Sequence, residues 1–272
     1  MLNTGTAASI KYSAPTENGT VAVVTSAANP SNQLWQLYPG GWGITSGSGT
    51  IDMDYSGAGA ITTTVNLTGL NNDAVMAYPF IFYGGDIYGD QIGGQPPEFP
   101  QQLSAMSSVI VDTSYSLSGT ISGNVDVLFD EYLIPSATYN SGPGGALEVE
   151  ILPYFNFAAD GPEPYGTYVK TLTFSSCTIN GTACGSWDEY LAAAGPGGDV
   201  EFVQHSLPGY ASGTFKMDFL PVATEAANTA GLTAPTNWWL AGVNLGNEFG
   251  GATTQNFTFT DTMLEIEQTI AQ

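Results

Sequence analysis

The sequence predicts an all-β protein, an antiparallel sandwich or jelly roll with one or two short helices, in a single domain over residues 1–272. Three observations carry this expectation. Short runs rich in Val, Ile, Thr, Phe and Tyr recur along the whole chain, and turns of Gly, Ser, Asn and Pro separate them. Helical periodicity is scarce. No internal repeat and no long linker divides the chain, and its length suits one sandwich with a large core.

In order, "TVAVVTS", "GTIDMDYS" and "AITTTVNL" open the series, followed by "VMAYPFIFYG". The stretch "GGQPPEFPQQ" is a proline-rich loop within the domain. "SSVIVDTSYSLSG", "NVDVLFDEYLI", "ALEVEIL", "TYVKTLTF", "GDVEFVQHS" and "GTFKMDFLP" continue the strands, and "WWLAGVNLGNEF" and "NFTFTDTMLEIEQ" close them. Two segments read as helices. Ser186 and Glu189 form a capping box before "WDEYLAAAG", which Gly195-Pro196 ends. "LPVATEAANTAG" has Asp218 just ahead of it and Gly231 at its end.

Charged residues are 10% of the chain, and 25 of the 28 are acidic; the bases are Lys11, Lys170 and Lys216, with no arginine. Neither nucleic acid nor an anionic membrane surface is an expected partner, because both need basic groups to hold them. A hydrophobic content of 43% rules out a disordered acidic tail. A formal charge of -22 points to a protein working in acid, where much of that charge is discharged. No apolar run reaches the roughly 20 residues of a membrane span. The first residues lack a basic region and apolar core, so the chain reads as a mature or recombinant form of a secreted, extracellular protein.

The two cysteines lie in "CTINGTAC", where Asn180-Gly181 is the preferred pair for a two-residue type I′ hairpin. Cys177 and Cys184 then face each other across the hairpin as a hydrogen-bonded pair, and a disulfide is expected in an oxidising compartment. Metal ligation is the weaker alternative, because two cysteines and one histidine are too few for a zinc site.

In "GALEVEILPYF", alternation puts Leu147, Val149 and Ile151 on one face and Glu148, Glu150 and Leu152 on the other. In "NWWLAGVNLGNEFGG" it places Trp238, Leu240, Gly242, Asn244, Gly246 and Glu248 together. Glycine beside a carboxylate leaves room for a bulky ligand. Two strand-borne glutamates facing across a groove are what glycosidic hydrolysis needs: one protonates the leaving oxygen and the other attacks the anomeric carbon. Aromatic rings stack on the apolar faces of pyranoses, and Trp35, Trp42, Trp238, Trp239 and Tyr154 are candidates.

These stretches resemble glycoside hydrolase family 12, the β-jelly-roll endoglucanases and xyloglucanases. "SNQLWQL" is similar to the family's Asn-Asn-x-Trp stretch, which implies a sugar-stacking role for Trp35. "AVMAYPFIFYG" resembles the Val-x-x-Tyr-Pro strand, and "LSAMSSVIVDTSYSLSG" the region running to a Ser-Tyr-Ser strand. "LEVEILPYF" resembles the Glu-(Leu/Ile)-Met-Ile-Trp motif, which implies Glu150 as nucleophile with Tyr154 in the tryptophan position. "WLAGVNLGNEFGG" resembles the strand ending in Gly-x-Glu, which implies Glu248 as acid/base. The family's aspartate in the strand before the nucleophile matches Asp130 in "LFDEYL" when two extra residues are allowed.

The resemblance thus implies an open substrate cleft and a secreted, monomeric, retaining endo-β-1,4-glucanase acting on a β-1,4-linked glucan without cofactor or metal. Glu148, beside Glu150 on the same face, and Trp42 are expected to bind substrate in that cleft. Leu152-Pro153 departs from the family's Met-Ile and implies a bulge or an edge. A xyloglucan-specific hydrolase and a non-catalytic carbohydrate-binding jelly roll are the alternative readings, since one fold hosts both roles.

Overall fold

A computed structural model describes residues 8–14, 22–25, 33–42, 46–56, 60–69, 76–84, 99–121, 124–139, 143–157, 166–204, 212–247, 249–250 and 255–272. They form the β-jelly-roll sandwich that the patterning predicts, an eight-stranded sheet packed on an eleven-stranded one. The eight-stranded sheet is built around two long strands, Met106–Ile121 and Gln255–Ile270, which pair antiparallel along most of their length. One of its inner strands shows why it packs on one side only. In Ile61–Thr68, Ile61, Thr63, Val65 and Leu67 are buried while the residues between them are less so, the period-2 signature of a half-buried strand.

The eleven-stranded sheet positions the site. Across it, in order, run Thr167–Thr173, Ser186–Ala193, Asp199–Gln204, Leu147–Phe157, Asn124–Ile134, Trp239–Gly246, Met76–Gly84, Gln33–Trp42 and Ala22–Thr25. Among the described residues all its pairings are antiparallel except one: Leu147–Phe157 runs parallel to Asp199–Gln204. Parallel neighbours need a long crossover, and this one includes Thr167–Thr173 at the sheet edge and Ser186–Ala193 beside it. The turn entering it is made by "GPGG". A Cβ on Gly198 would lie 2.5 Å from the Ala193 carbonyl oxygen, so only glycine lets the chain bend closely enough to bring Asp199 beside Glu148.

Phe129 from the larger sheet stacks on Phe215 from the smaller at 4.9 Å between ring centroids, with Phe219 and Trp187 edge-on around them. Val149, Ile151, Val200 and Phe202 fill the same interior. Burying such side chains is worth about 1.5–3 kcal/mol each, which makes this layer the main source of stability.

Only one of the two expected helices is a helix. Leu220–Thr229 packs Val222, Ala223, Ala226 and Ala227 inward. Asp218 Oδ1 accepts hydrogen bonds from the Leu220 and Val109 amides at its start. Gly231, at φ +71°, ends it while the Leu232 amide returns to the Ala227 carbonyl. The other segment, Ser186–Ala193, is a strand. Its local signals were helical, but Trp187 and Glu189 alternate inward, and pairing on both sides with Thr167–Thr173 and Asp199–Gln204 outweighs propensity. Glu189, expected to serve a helix start, is instead a fully buried strand residue. It accepts a hydrogen bond from Thr229 Oγ1 at 2.5 Å and lies 3.5 Å from Lys170 Nζ, tying the sheet edge to the helix.

Cys177 and Cys184 form a disulfide, with their Cα atoms 5.4 Å apart. The intervening hairpin has Asn180 at φ 51° and Gly181 at φ 73°, the backbone of a type I′ turn. The Cys184 amide donates to the Cys177 carbonyl, as a hydrogen-bonded register requires.

Candidate active site

The outward face of the larger sheet carries a row of polar side chains aligned by strand register. Glu150 stands opposite Asp130 on one side and Glu201 on the other, and Asp130 stands opposite Asn244. The same row continues from Glu201 to Tyr190 and then to Tyr168 at the sheet edge. The next row places Glu148 between Asp199 and Tyr132. Alternation explains the segregation: Leu147, Val149 and Ile151 are fully buried between the sheets, while Glu148 and Glu150 point out and are half-buried.

Asp130 is held most firmly. Asn244 Nδ2 donates to Asp130 Oδ2 at 2.8 Å and also lies 2.8 Å from the Tyr132 hydroxyl, which itself donates to Asp130 Oδ2 at 3.2 Å. The Asp130 amide donates back to Asn244 Oδ1. Asp130, Tyr132 and Asn244 are each no more than 3% exposed. Asp130 Oδ1 is buried and makes no hydrogen bond. Burial, and then the negative charge of Glu148, push the Asp130 carboxyl well above the usual aspartate range, with Asp126 adding to the rise. The bonds from Asn244 and Tyr132 oppose that shift without cancelling it. Asp130 is thus held protonated at a pH where an ordinary aspartate is ionised, with one oxygen left to share a proton.

The neighbouring carboxyls crowd the same face. Glu201 is 2% exposed, and burial raises Asp199 to about 6. Among the described residues, no group of three or more His, Cys, Asp or Glu side chains is arranged to hold a metal ion. Around the carboxyls lies an outward apolar cluster of Leu128, Tyr132, Ile134, Ala146, Leu152, Val203 and Ala241, with Tyr190 and Trp239 packed against it.

Register brings Glu150, Glu148 and Asp130 together, with Asp130 directly across from Glu150. Two β-bulges correct the simple alternation. One, between Ile151 and Tyr154, accommodates Pro153 and turns Tyr154 into the inter-sheet core, where it is 8% exposed. Tyr154 therefore does not share the face of Glu150, as strict alternation had it. The other, between Leu240 and Gly242, separates Trp238, which faces the core, from Trp239 and Asn244 on the outward face.

Glu248 lies outside the described residues, as do the side chains of Trp35 and Trp42; the backbone of both tryptophans belongs to strand Gln33–Trp42 of this sheet. On either side of Glu248, Asn247 Nδ2 donates to the Asp126 carbonyl and Phe249 pairs with Val125.

Three contributors were not assigned from sequence: Asn244, Tyr132 and Glu201. Asn244 was visible as a polar residue in an apolar strand. Tyr132 and Glu201 alternate with core residues in "FDEYL" and "VEFV", but only pairing reveals what they face.

No family model and no curated protein matches the sequence. Solved structures do. A metagenome-derived glycoside hydrolase family 12 endoglucanase superposes with a TM-score of 0.68 at 18% identity, covering 98% of this chain and 99% of that one. The family 12 xyloglucanase from Bacillus licheniformis has a TM-score of 0.64 at 19% identity, covering 95% and 100%. An endoglucanase from Rhodothermus marinus has 0.63 at 18%, covering 87% and 92%. The chain has the fold of the family 12 glycoside hydrolases.

Proposed function

We propose that this protein is a secreted, acid-adapted glycoside hydrolase of family 12 that cleaves internal β-1,4-glucosidic bonds with retention of configuration. The observation that carries the reading is the register of Glu150 opposite Asp130 on the outward face of this fold. In the proposed mechanism the Glu150 carboxylate attacks the anomeric carbon while Glu248 protonates the departing oxygen; Glu248 then deprotonates the water that releases the glycosyl-enzyme. Asp130, its carboxyl raised by burial and fixed through Oδ2 by Asn244 and Tyr132, would turn its proton from the unbonded Oδ1 toward the Glu150 carboxylate as a hydrogen bond when substrate is bound. That bond weakens as charge leaves Glu150 in the attack, so Asp130 tunes the nucleophile rather than reacting itself.

The test is hydrolysis of soluble β-glucans. Glu150→Gln should fold normally and lose activity by about three orders of magnitude or more, because the covalent step has no nucleophile. Glu248→Ala should also be inactive on glucans but, with an activated aryl β-cellobioside whose leaving group needs no proton, regain turnover with azide, which attacks the glycosyl-enzyme without a general base. Substantial activity in Glu150→Gln would sink the assignment. Xyloglucan is the second substrate class to include in that assay, because a xyloglucanase is among the structures sharing the fold.

A further inference from the structure

The row that holds Glu150 does not end at the carboxylates. Two positions beyond it stands Tyr190, and one further stands Tyr168 on the edge strand Thr167–Thr173. Their rings meet edge-to-face, centroids 5.8 Å apart at 71°. Tyr190 is half-buried against the outward apolar cluster, whereas Tyr168 is 53% exposed. The Tyr168 hydroxyl is within 2.9 Å of Thr171 Oγ1, which donates to Asp188 Oδ1 at 2.6 Å. A large ring is thus set in place by its neighbours and left uncovered.

We infer that Tyr168 and Tyr190 form an aromatic platform for a distal sugar of the same glucan chain that reaches Glu150. This inference rests on the hydrolase reading above. Neighbouring strands are about 4.8 Å apart, so Tyr168, three strands from Glu150, lies roughly 14 Å along the row. One β-1,4-linked glucose is about as long as one such step, so a chain crossing the strands over Glu150 brings a sugar onto the platform two or three units away. The chemistry of the surroundings selects the occupant. The apolar face of a pyranose stacks on an aromatic ring, while Asp188 and Thr171 offer acceptors for its hydroxyls. The carboxyls along the row repel an anionic ligand, and Lys170, the one base on the edge strand, is occupied by Glu225 and Glu189.

The test compares kcat/KM for cellohexaose with kcat/KM for an aryl β-cellobioside, which is too short to touch Glu150 and the platform together. In Tyr168→Ala the ratio of hexamer to aryl glycoside should fall roughly 3- to 10-fold. Tyr168→Phe, which keeps the ring and loses the hydroxyl, should restore the ratio, an outcome a merely structural defect would not produce. If the unsubstituted protein cleaves both substrates and Tyr168→Ala keeps the ratio within about twofold, the platform is refuted and the hydrolase stands. If the unsubstituted protein cleaves neither, the hydrolase reading falls and the platform with it.

Discussion

Asp199 offers a direct test of the proposed acid adaptation. It is half-buried beside Glu148, one carboxyl oxygen is buried without a hydrogen bond, and burial raises it from the usual 3.8 to about 6. For an acid whose folded pKa is raised, the native state holds the proton more tightly than the unfolded chain. Between about pH 4 and 6 the native state therefore binds more protons, and stability falls as pH rises through that window; below it the group costs nothing, and above it the loss is complete. A rise of about two units at about 1.4 kcal/mol each sets an upper bound of roughly 3 kcal/mol.

Asp199→Asn removes the titration while keeping the shape. Thermal unfolding of both proteins from pH 3 to 8 should give nearly equal melting temperatures at pH 3–4. By pH 7 the variant should lead by up to roughly 6–12 °C, taking about 2–4 °C per kcal/mol for a domain of this size. A difference that does not vary with pH would refute the reasoning. So would a native protein that becomes more stable from pH 4 to 7. Asp130, Glu131 and Glu189 act in the same direction, burial being the largest cause for each. Glu131 is the extreme case: it lies in the core with both carboxyl oxygens unpartnered, and Asp218 adds to the rise.

Asn244→Ala should destabilise the fold by about 2–3 kcal/mol in denaturant titration, since it strips the donors from Asp130 and Tyr132 and leaves them buried. Because those bonds oppose the rise of Asp130, the same variant should push that group further up and move the pH profile of hydrolysis with it; an unmoved profile would uncouple Asp130 from Glu150. Replacing Cys177 and Cys184 together by serine opens a loop with a sequence separation of 7. Loop-closure entropy then predicts a loss of about 2–3 kcal/mol, read as an earlier chemical-denaturation midpoint.

Much of this protein was legible in the chain itself, because strand alternation, turn residues and hairpin chemistry are local. The period of 2 in "AITTTVNL" and "ALEVEIL" placed side chains on the correct faces, Asn180-Gly181 specified the hairpin that aligns the cysteines, and Gly231 closed the helix Leu220–Thr229. Where local signals and long-range pairing disagreed, pairing won. Ser186–Ala193 has a capping box and an alanine run, yet Trp187 fits only between the sheets and both neighbouring strands supply partners. The bulges at Pro153 and Gly242 likewise break the alternation that put Tyr154 and Trp238 on the outward face. The site belongs to the same category. Glu150 and Asp130 were singled out by resemblance, but that they share one row with Asn244 and Glu201, from strands up to 114 residues apart in sequence, was not legible. Their meeting depends on register, which is decided only when both faces of the sheet find their partners, the inward face in the core and the outward face in its own hydrogen bonds.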